Sequence, residues 1–561
     1  MYRLLLIALF GGAIAPFAMA EQGEEVPCTR VYIPAKPGYN FTAAVDHWGQ
    51  KKTRYDLDGT EVVGHIYVNS LPIFNTASPK ENNALYRWIN EIHPRTRPYV
   101  IRELILFHEG GPITNHLIDE SERILRQQKF TSDASIRAIS KCGNKVDIEV
   151  ITKEVWTLVP EISAGTAGGK TETSFGVHDS NFLGTGSQIT LGYAHNVDRD
   201  SALFRYQDFN VRGSRIHFLT HLEENTDGYV RRLLVDLPYY ELNAKQSWGV
   251  GMGQSKETDH QYYRGETVSY VDTENEHFEG WLGHSAGLVN GWANRFNYGM
   301  AYDRTRYKAL PGLPSPAPLP TDRTLVYPFF EYQQIENKYT VAYNINQINR
   351  EEDIHIGRSL RARLGFSQVD RPRLITEGGL ATTLVSREKE LFQADVSWQG
   401  RWNFELNQAE DVHVSMALDY HHGQTQKRSL HFKFRLTDTW HRSPEIQVIL
   451  GGASGLRGYP INYAAGDASY LFTVEQQIFT NYSIFSLFNV GFVAFLDTGR
   501  AWYKGNGGPD DGELTDVGFG ARLVPAKTDK DHVIHIDVGW PLKRLPGAQG
   551  VQVIVKVEKT I

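Results

Sequence analysis

Long apolar runs are missing from this chain. Past the first twenty residues, no segment offers the roughly 18 consecutive apolar residues that a transmembrane helix needs. With a mean hydropathy of −0.39, a helical membrane protein is excluded. A membrane is not, because a transmembrane β-strand hides its signal in alternation between an apolar and a polar face. Cationic excess is missing too: 58 Lys and Arg stand against 65 Asp and Glu, for a net charge of −7. That balance, with a pI near 6.3, argues against a nucleic-acid partner. No internal repeat of fixed period runs along the chain, which disfavours a propeller. Cysteine is scarce, with only Cys28 and Cys142. In an exported protein the two are expected to form one disulfide, tying the N-terminal arm to the KCGNK turn. Such a bond is worth about 4–5 kcal/mol in the chain-entropy model. The alternative is two separate thiols.

Glycine (51 residues) and aromatics (12%) are plentiful. The chain opens like a secretory signal. Arg3 supplies the positive charge, Leu4 to Phe10 the apolar core, and Ala18-Met19-Ala20 a small-x-small cleavage site, so the mature chain is expected to begin at Glu21. Residues 21–60 are a polar extension without a clear assignment. From 61 to 158 the pattern is that of a small α+β unit. Val62 to Val68 predicts a strand, residues 75–95 an insertion with one short helix, and Arg97 to His108 a helix. Asn115 to Lys129 predicts the clearest helix, N-capped by Thr114, with Leu117, Ile118, Ile124 and Leu125 on one face. A hairpin comes next, turning at Cys142-Gly143-Asn144.

After Trp156 the helical pattern stops, and alternating strands run to the C-terminus with turns every 12–20 residues. In LHFKFRL, Leu430, Phe432, Phe434 and Leu436 share one face, and His431, Lys433 and Arg435 the other. VIHIDVGW sets Ile534, Ile536, Val538 and Trp540 against His535 and Asp537. The last segment puts Val551, Val553, Val555 and Val557 outward, with Gln552, Lys556 and Glu558 inward. Apolar-out, polar-in strands over some 400 residues (159–561) predict a transmembrane barrel. Candidate segments number nearer twenty than the sixteen of the expected barrel, and the excess is read as extracellular hairpin extensions or as over-splitting. The proline-rich stretch 309–322 reads as an outer loop.

One loop carries more information than the rest. GGASGLRGYP, Gly451 to Pro460, precedes FNVGFVAFLDTGRAWY. Leu456-Arg457-Gly458-Tyr459, with Asp497 in FLDTG and Glu475 on the strand between, resembles the signature of the BamA/TamA superfamily, the bacterial surface antigen family. HEGGPI, LIDESERILRQQKF and VDIEVITKEVWTL, in a strand-helix-helix-strand-strand order, resemble its POTRA docking module. SFGVHDSNFLGTGSQITLGY resembles its first barrel hairpin, with Asn181 to Gly186 as the turn. The resemblance covers about 61–561. It implies a sixteen-stranded antiparallel outer-membrane barrel preceded by one periplasmic POTRA domain. It implies that Arg457 folds into the lumen and pairs with the carboxylates of Glu475 and Asp497. Strand parity agrees, since both acids fall on the lumen side. A guanidinium suits the task because its planar fork binds two carboxylates and never deprotonates. The family often has an arginine two residues after the glutamate, where this chain has Gln477. The chain ends in Ile561 rather than an aromatic residue.

Three other patterns have the spelling of chemical motifs. AGTAGGKT, Ala164 to Thr171, fits a relaxed P-loop, but a strand pattern comes directly after it, whereas phosphate binding needs a helix N-terminus there. GHSAG, Gly283 to Gly287, fits a nucleophile elbow, but both flanks read as strands. His421-His422 has no third metal ligand at useful spacing. The expectation is therefore no enzyme, no cofactor and no metal. The implied role is insertion or translocation of client polypeptides at the outer membrane, with membrane lipid and a client or a periplasmic or inner-membrane protein as partners. A lipid-transport relative, a passive pore and an outer-membrane lipase using Ser285 are the alternatives.

Overall fold

The computed structural model describes residues 28–30 and 57–559, apart from 80, 168–169, 346–347, 349–350, 387–389, 424, 426, 486, 506–509, 529–531 and 549. The signal segment and nearly all of the extension lie outside the described residues, as does Ile561. No helix among the described residues is long and apolar enough to cross a membrane.

The chain builds two bodies. The first is a five-stranded sheet in the order β1-β4-β5-β2-β3, accompanied by three helices. Its strands are β1 (Cys28–Arg30), β2 (Asp58–Leu71), β3 (Pro112–Thr114), β4 (Thr131–Cys142) and β5 (Lys145–Glu154). Its helices are α1 (Ala84–Ile92), α2 (Pro98–Leu104) and α3 (Asn115–Gln127). Thr114 caps α3, its hydroxyl accepting from the Leu117 amide at 3.2 Å. Ile118, Ile124 and Leu125 of that helix join Ile101, Ile136, Val146, Ile148 and Val150 in one core. β1 pairs with β4 in a register that sets Cys28 opposite Cys142. Cys142 is disulfide-bonded, and no cysteine among the described residues is free.

The second body is a closed antiparallel barrel of twenty strands, from Leu158–Ala167 to Gln552–Lys559. The count corrects the expected sixteen: the extra alternating segments are strands of the wall and not hairpin extensions or over-splitting. The Arg457 loop is the eighth connection at the end away from the small domain, with two more hairpins after it. The strands Gln246–Tyr263, Glu266–Val289 and Trp292–Lys308 run 18, 24 and 17 residues. A membrane crossing takes about 9–11, so these strands extend beyond an apolar layer. The outer face is apolar and uncovered: Ile162, Phe175, Leu191, Phe492 and Phe519 are all at least half exposed.

A hairpin, Tyr339–Tyr343 with Glu351–His355, interrupts the wall without joining it. The strands on either side of it, Arg323–Glu336 and Arg358–Ser367, pair directly with each other. Alternation marks a strand and does not mark which sheet it enters, so the sequence does not separate this hairpin from the wall.

The small domain sits on the barrel end that carries the short turns. Two of those turns share a pattern, Asp-x-Asn-x-x-Gly, at Asp179 to Gly184 and again at Asp208 to Gly213. In each the asparagine carboxamide accepts from the amide five residues on, at 2.8 Å. In each the aspartate accepts from the asparagine amide, at 3.0 and 2.9 Å. The repeat is legible in the sequence, although the family resemblance marks only the first copy as a turn. Together the two turns clasp α2 end to end. The Arg97 amide, at its start, donates to the Gly184 carbonyl at 3.0 Å. The Arg215 guanidinium donates to the Leu104 and Ile105 carbonyls at its end, at 3.3 and 3.1 Å. Carbonyls in the last turn of a helix lack an intrahelical donor, so a cation there satisfies them and complements the dipole. On the opposite side of the domain, Tyr86 donates to the Phe485 carbonyl at 2.6 Å, and Lys527 donates to Glu81 at 2.9 Å.

Two outcomes are expected. Arg215→Ala leaves two carbonyls without a charged donor, at about 1.5–3 kcal/mol; hydrogen exchange across 98–105 should rise while the barrel stays heat-modifiable. Burial alone would raise the Glu81 carboxyl, but the Lys527 ammonium overrides it and holds the group below its ordinary 4.5. A lowered pKa stabilises docking above the ordinary value and ceases to do so as pH falls through the lowered one. Proteolysis of the small domain should therefore accelerate on acidification below about pH 4.5, and much less so in Glu81→Gln.

Candidate functional site

The distal loop between the strands Arg428–Trp440 and Ala468–Ile484 folds back into the barrel. Its base is apolar. Leu456, Tyr459 and Tyr463 are fully buried, packed with Leu450, Ala501, Leu514 and Ala548. The Tyr459 hydroxyl donates to the Thr515 or Lys543 carbonyl, at 3.2 and 3.3 Å, and that of Tyr463 to the Pro546 carbonyl at 2.7 Å. These contacts set the depth at which Arg457 enters.

Backbone approaches backbone closely here. A Cβ on Gly539 would stand 2.8 Å from the Gly458 nitrogen and 2.9 Å from the Arg457 carbonyl carbon. A Cβ on Gly458 would stand 2.5 Å from Cβ of Asp516 and 2.8 Å from the Trp540 carbonyl carbon. Glycine at both positions lets the loop lie against the wall.

The guanidinium of Arg457 reaches three carboxylates. It holds Asp497 with two bonds, Nε to Oδ2 at 2.8 Å and Nη2 to Oδ1 at 2.9 Å. Nη1 donates to Glu475 Oε1 at 2.7 Å, and lies 3.4 Å from Asp537 Oδ2. Its face covers the Phe495 ring at 3.5 Å from the centroid. Thr473 adds a hydroxyl bond to Asp497 at 2.8 Å. A second cation, Arg522, bonds Asp537 at 2.6 Å and stands 3.8 Å from Glu475, and Lys433 lies 3.7 Å from the other Glu475 oxygen. Glu475, Asp497 and Asp537 are all buried, and so is Asp516, directly across from Asp497 in register.

Arg457, Glu475 and Asp497 are thus brought together. Asp537 and Arg522 are members of this group that the sequence motif does not include. Parity turns Asp537 inward, and the same rule places Arg522 with Asp516 on the lumen face of LTDVGFGARLVP. What parity cannot supply is the depth at which neighbouring strands align. The Gln477 carboxamide donates to Glu475 at 3.4 Å, and the further cations near that carboxylate are Lys433 and Arg522.

The other patterns fall on strands. Lys170 begins the strand Lys170–Asp179, so no helix N-terminus faces it. Ser285 lies in the strand Glu266–Val289 beside a register shift, its hydroxyl donating to the Asn294 carbonyl at 2.6 Å. His421 and His422 face opposite ways along their strand. His421 is buried and stacks on His431 at 3.8 Å, and His422 meets Glu390 at 2.8 Å. Among the described residues, no group of three or more His, Cys, Asp or Glu is arranged to hold a metal ion.

No protein-family model matches the chain, and no curated protein does. Solved structures do. BamA from Haemophilus ducreyi lacking POTRA domains 1–3 is 12% identical, covering 89% of this chain and 85% of that one at a TM-score of 0.39. CdiB from Acinetobacter baumannii is 10% identical, covering 89% and 74% at 0.43. CdiB from Escherichia coli is 11% identical, covering 90% and 77% at 0.44.

Arg457→Ala strips the buried carboxylates of their shared cation, at about 3–5 kcal/mol where the site is dry and less where lumen water reaches it. Arg457→Lys should recover only part, because an ammonium cannot make the two-pronged bond to Asp497. Thermal unfolding of the purified barrel should rank wild type above Lys above Ala. Equal stabilities would show that the cluster contributes nothing.

Proposed function

We propose that the chain is an outer-membrane barrel of the BamA/TamA kind, with its small POTRA-like domain in the periplasm, and that it assists insertion or translocation of client polypeptides. The observation that carries this reading is the junction of the first and last strands. Among the described residues, three residue pairs join Gln552–Lys559 to Leu158–Ala167. Every other junction of the wall has seven or more. A short ladder costs little to open, and opening exposes two strand edges, which template a client strand by β-augmentation.

The small domain supports the same reading by its position. It grips the turns 180–187 and 209–216 on one side of that junction, and the turns at Phe485 and Lys527 on the other. It therefore straddles the seam at the end where a periplasmic client would arrive. The lumen is occupied by the Arg457 loop, which disfavours a passive pore. The hydroxyl of Ser285 is engaged with a backbone carbonyl, which disfavours a lipase.

A cysteine pair at the register partners Ala164 and Val555 tests the seam. Oxidised, Ala164→Cys with Val555→Cys should leave the barrel heat-modifiable and abolish client export or membrane integrity in a null background; reduction should restore it. A second chain, 1–20 fused to 159–561, should fold as a barrel, since its backbone bonds close within itself, and should lose the function. Full activity of both would move the assignment to a passive pore.

A further inference from the structure

The lumen wall carries a recess of about 430 Å³, apart from the Arg457 cluster. Four successive wall strands contribute to it, with Trp281 on the first, Arg295 and Asn297 on the second, Glu331 on the third, and Arg361 and Arg363 on the fourth. The register sets Arg295 opposite Gln333, and Gln333 opposite Arg361. Gly283, opposite Asn297, makes room: a Cβ there would stand 2.5 Å from the Tyr239 hydroxyl. Tyr239 comes from the turn 238–245, at the end that carries the small domain, and its hydroxyl donates to the Asn297 carboxamide oxygen at 3.2 Å. Its neighbour Tyr240 lies under Arg215, 4.6 Å from ring centroid to guanidinium, and Arg215 is the cation that holds the end of α2. The recess therefore adjoins the base of the small domain.

Three guanidiniums line the recess, and two are matched by carboxylates. Arg361 and Arg363 each donate from Nε to the same Glu331 oxygen at 2.9 Å. Arg361 also reaches Glu377 at 2.9 Å, and Arg363 reaches Glu279 at 3.1 Å. The other Glu331 oxygen accepts from Asn297 at 3.0 Å and from Gln333 at 2.7 Å. Arg295 differs. It is only 7% exposed, and among the described residues it makes no ion pair. Its Nη2 donates to the Glu241 carbonyl at 3.0 Å, its face covers the Tyr239 ring at 4.6 Å, and its Nε has no partner. A buried cation without an anion is costly, so a ligand that neutralises it stabilises the fold. We propose that the recess binds a small hydroxylated anion, a sugar phosphate or sugar acid, with its phosphate or carboxylate on Arg295. The planar fork of a guanidinium fits either group. The carboxylates of Asp236, Glu279 and Glu331 around it repel a second negative charge and accept from hydroxyls, so the ligand carries its charge at one end. Trp281, whose indole N–H donates to Ser247 at 3.3 Å, offers a fixed apolar face for the C–H side of a sugar ring. The recess faces the lumen and not the apolar outer wall, so the ligand is a soluble molecule and not a lipid. The site is separate from the seam and does not rest on client transport.

The test is calorimetric titration of the full chain in phosphatidylcholine nanodiscs. Glucose 6-phosphate and glucuronate should bind and raise the unfolding temperature. Glucose and inorganic phosphate should each bind about tenfold more weakly, the one lacking the charge and the other the ring. Arg295→Gln should weaken both ligands by about tenfold or more. Arg435→Gln removes a different luminal cation, one paired with Asp419 at 2.8 Å, and should leave both affinities unchanged. Should Arg295→Gln fail to fold, Arg295→Lys decides: it keeps the charge, loses the fork, and should bind both ligands more weakly than wild type. No binding of either ligand overturns the site. So does a loss in Arg435→Gln equal to that in Arg295→Gln, which would make the attraction a diffuse property of the lumen. Glucose as tight as its phosphate overturns the role of Arg295, and inorganic phosphate as tight as the sugar phosphate overturns the hydroxylated ligand. Affinity that falls in phosphatidylglycerol nanodiscs overturns a soluble ligand, by placing an anionic lipid in the recess.

Discussion

Closure of the backbone ladder is the constraint on which this architecture depends. A sheet with an apolar outer face has nothing outside to satisfy its edges, so each strand must find two neighbours. Nineteen of the twenty junctions do so with seven or more residue pairs, and one does so with three among the described residues. The cylinder is closed, and its shortest ladder among the described residues lies at one place. That place is where the chain begins and ends its circuit, and where the small domain is attached.

A closed cylinder of twenty strands has an interior that wall side chains alone do not fill. Two chain segments enter it from opposite ends. The distal loop is held by a desolvated ionic cluster on an apolar base, so it is seated firmly: removing one partner strands the others. The domain-side hairpin meets the far wall through Ile348, whose side chain packs there and whose carbonyl accepts from Asn489; it meets the near wall through Ile345 and Ile354, and the small domain through Arg126–Asp353 and Arg123–Tyr339.

The small domain links these features. Its α2 is clasped by two turns of the barrel, its α3 holds the hairpin, and its α1 region touches the turns on the far side of the seam. The small domain thus contacts both the turns that flank the seam and the hairpin.

Much of this was determined by the sequence alone. Alternation established the barrel and its inward and outward faces, because side-chain direction in a strand follows from parity and needs no knowledge of neighbours. The Thr114 cap and the apolar face of α3 were equally local. Arg457, Glu475 and Asp497 were legible as a group through a resemblance and a parity rule. The tertiary structure decided what depends on register and enclosure. It brought Asp537 and Arg522 to the same depth as Arg457, since alignment between strands far apart in sequence is set by the whole cylinder. It replaced a count of sixteen by twenty, since a family pattern fixes a motif and leaves hairpins free to be added. It sent one hairpin out of the wall and under the lumen, since a strand's pattern states that it pairs and does not state with what.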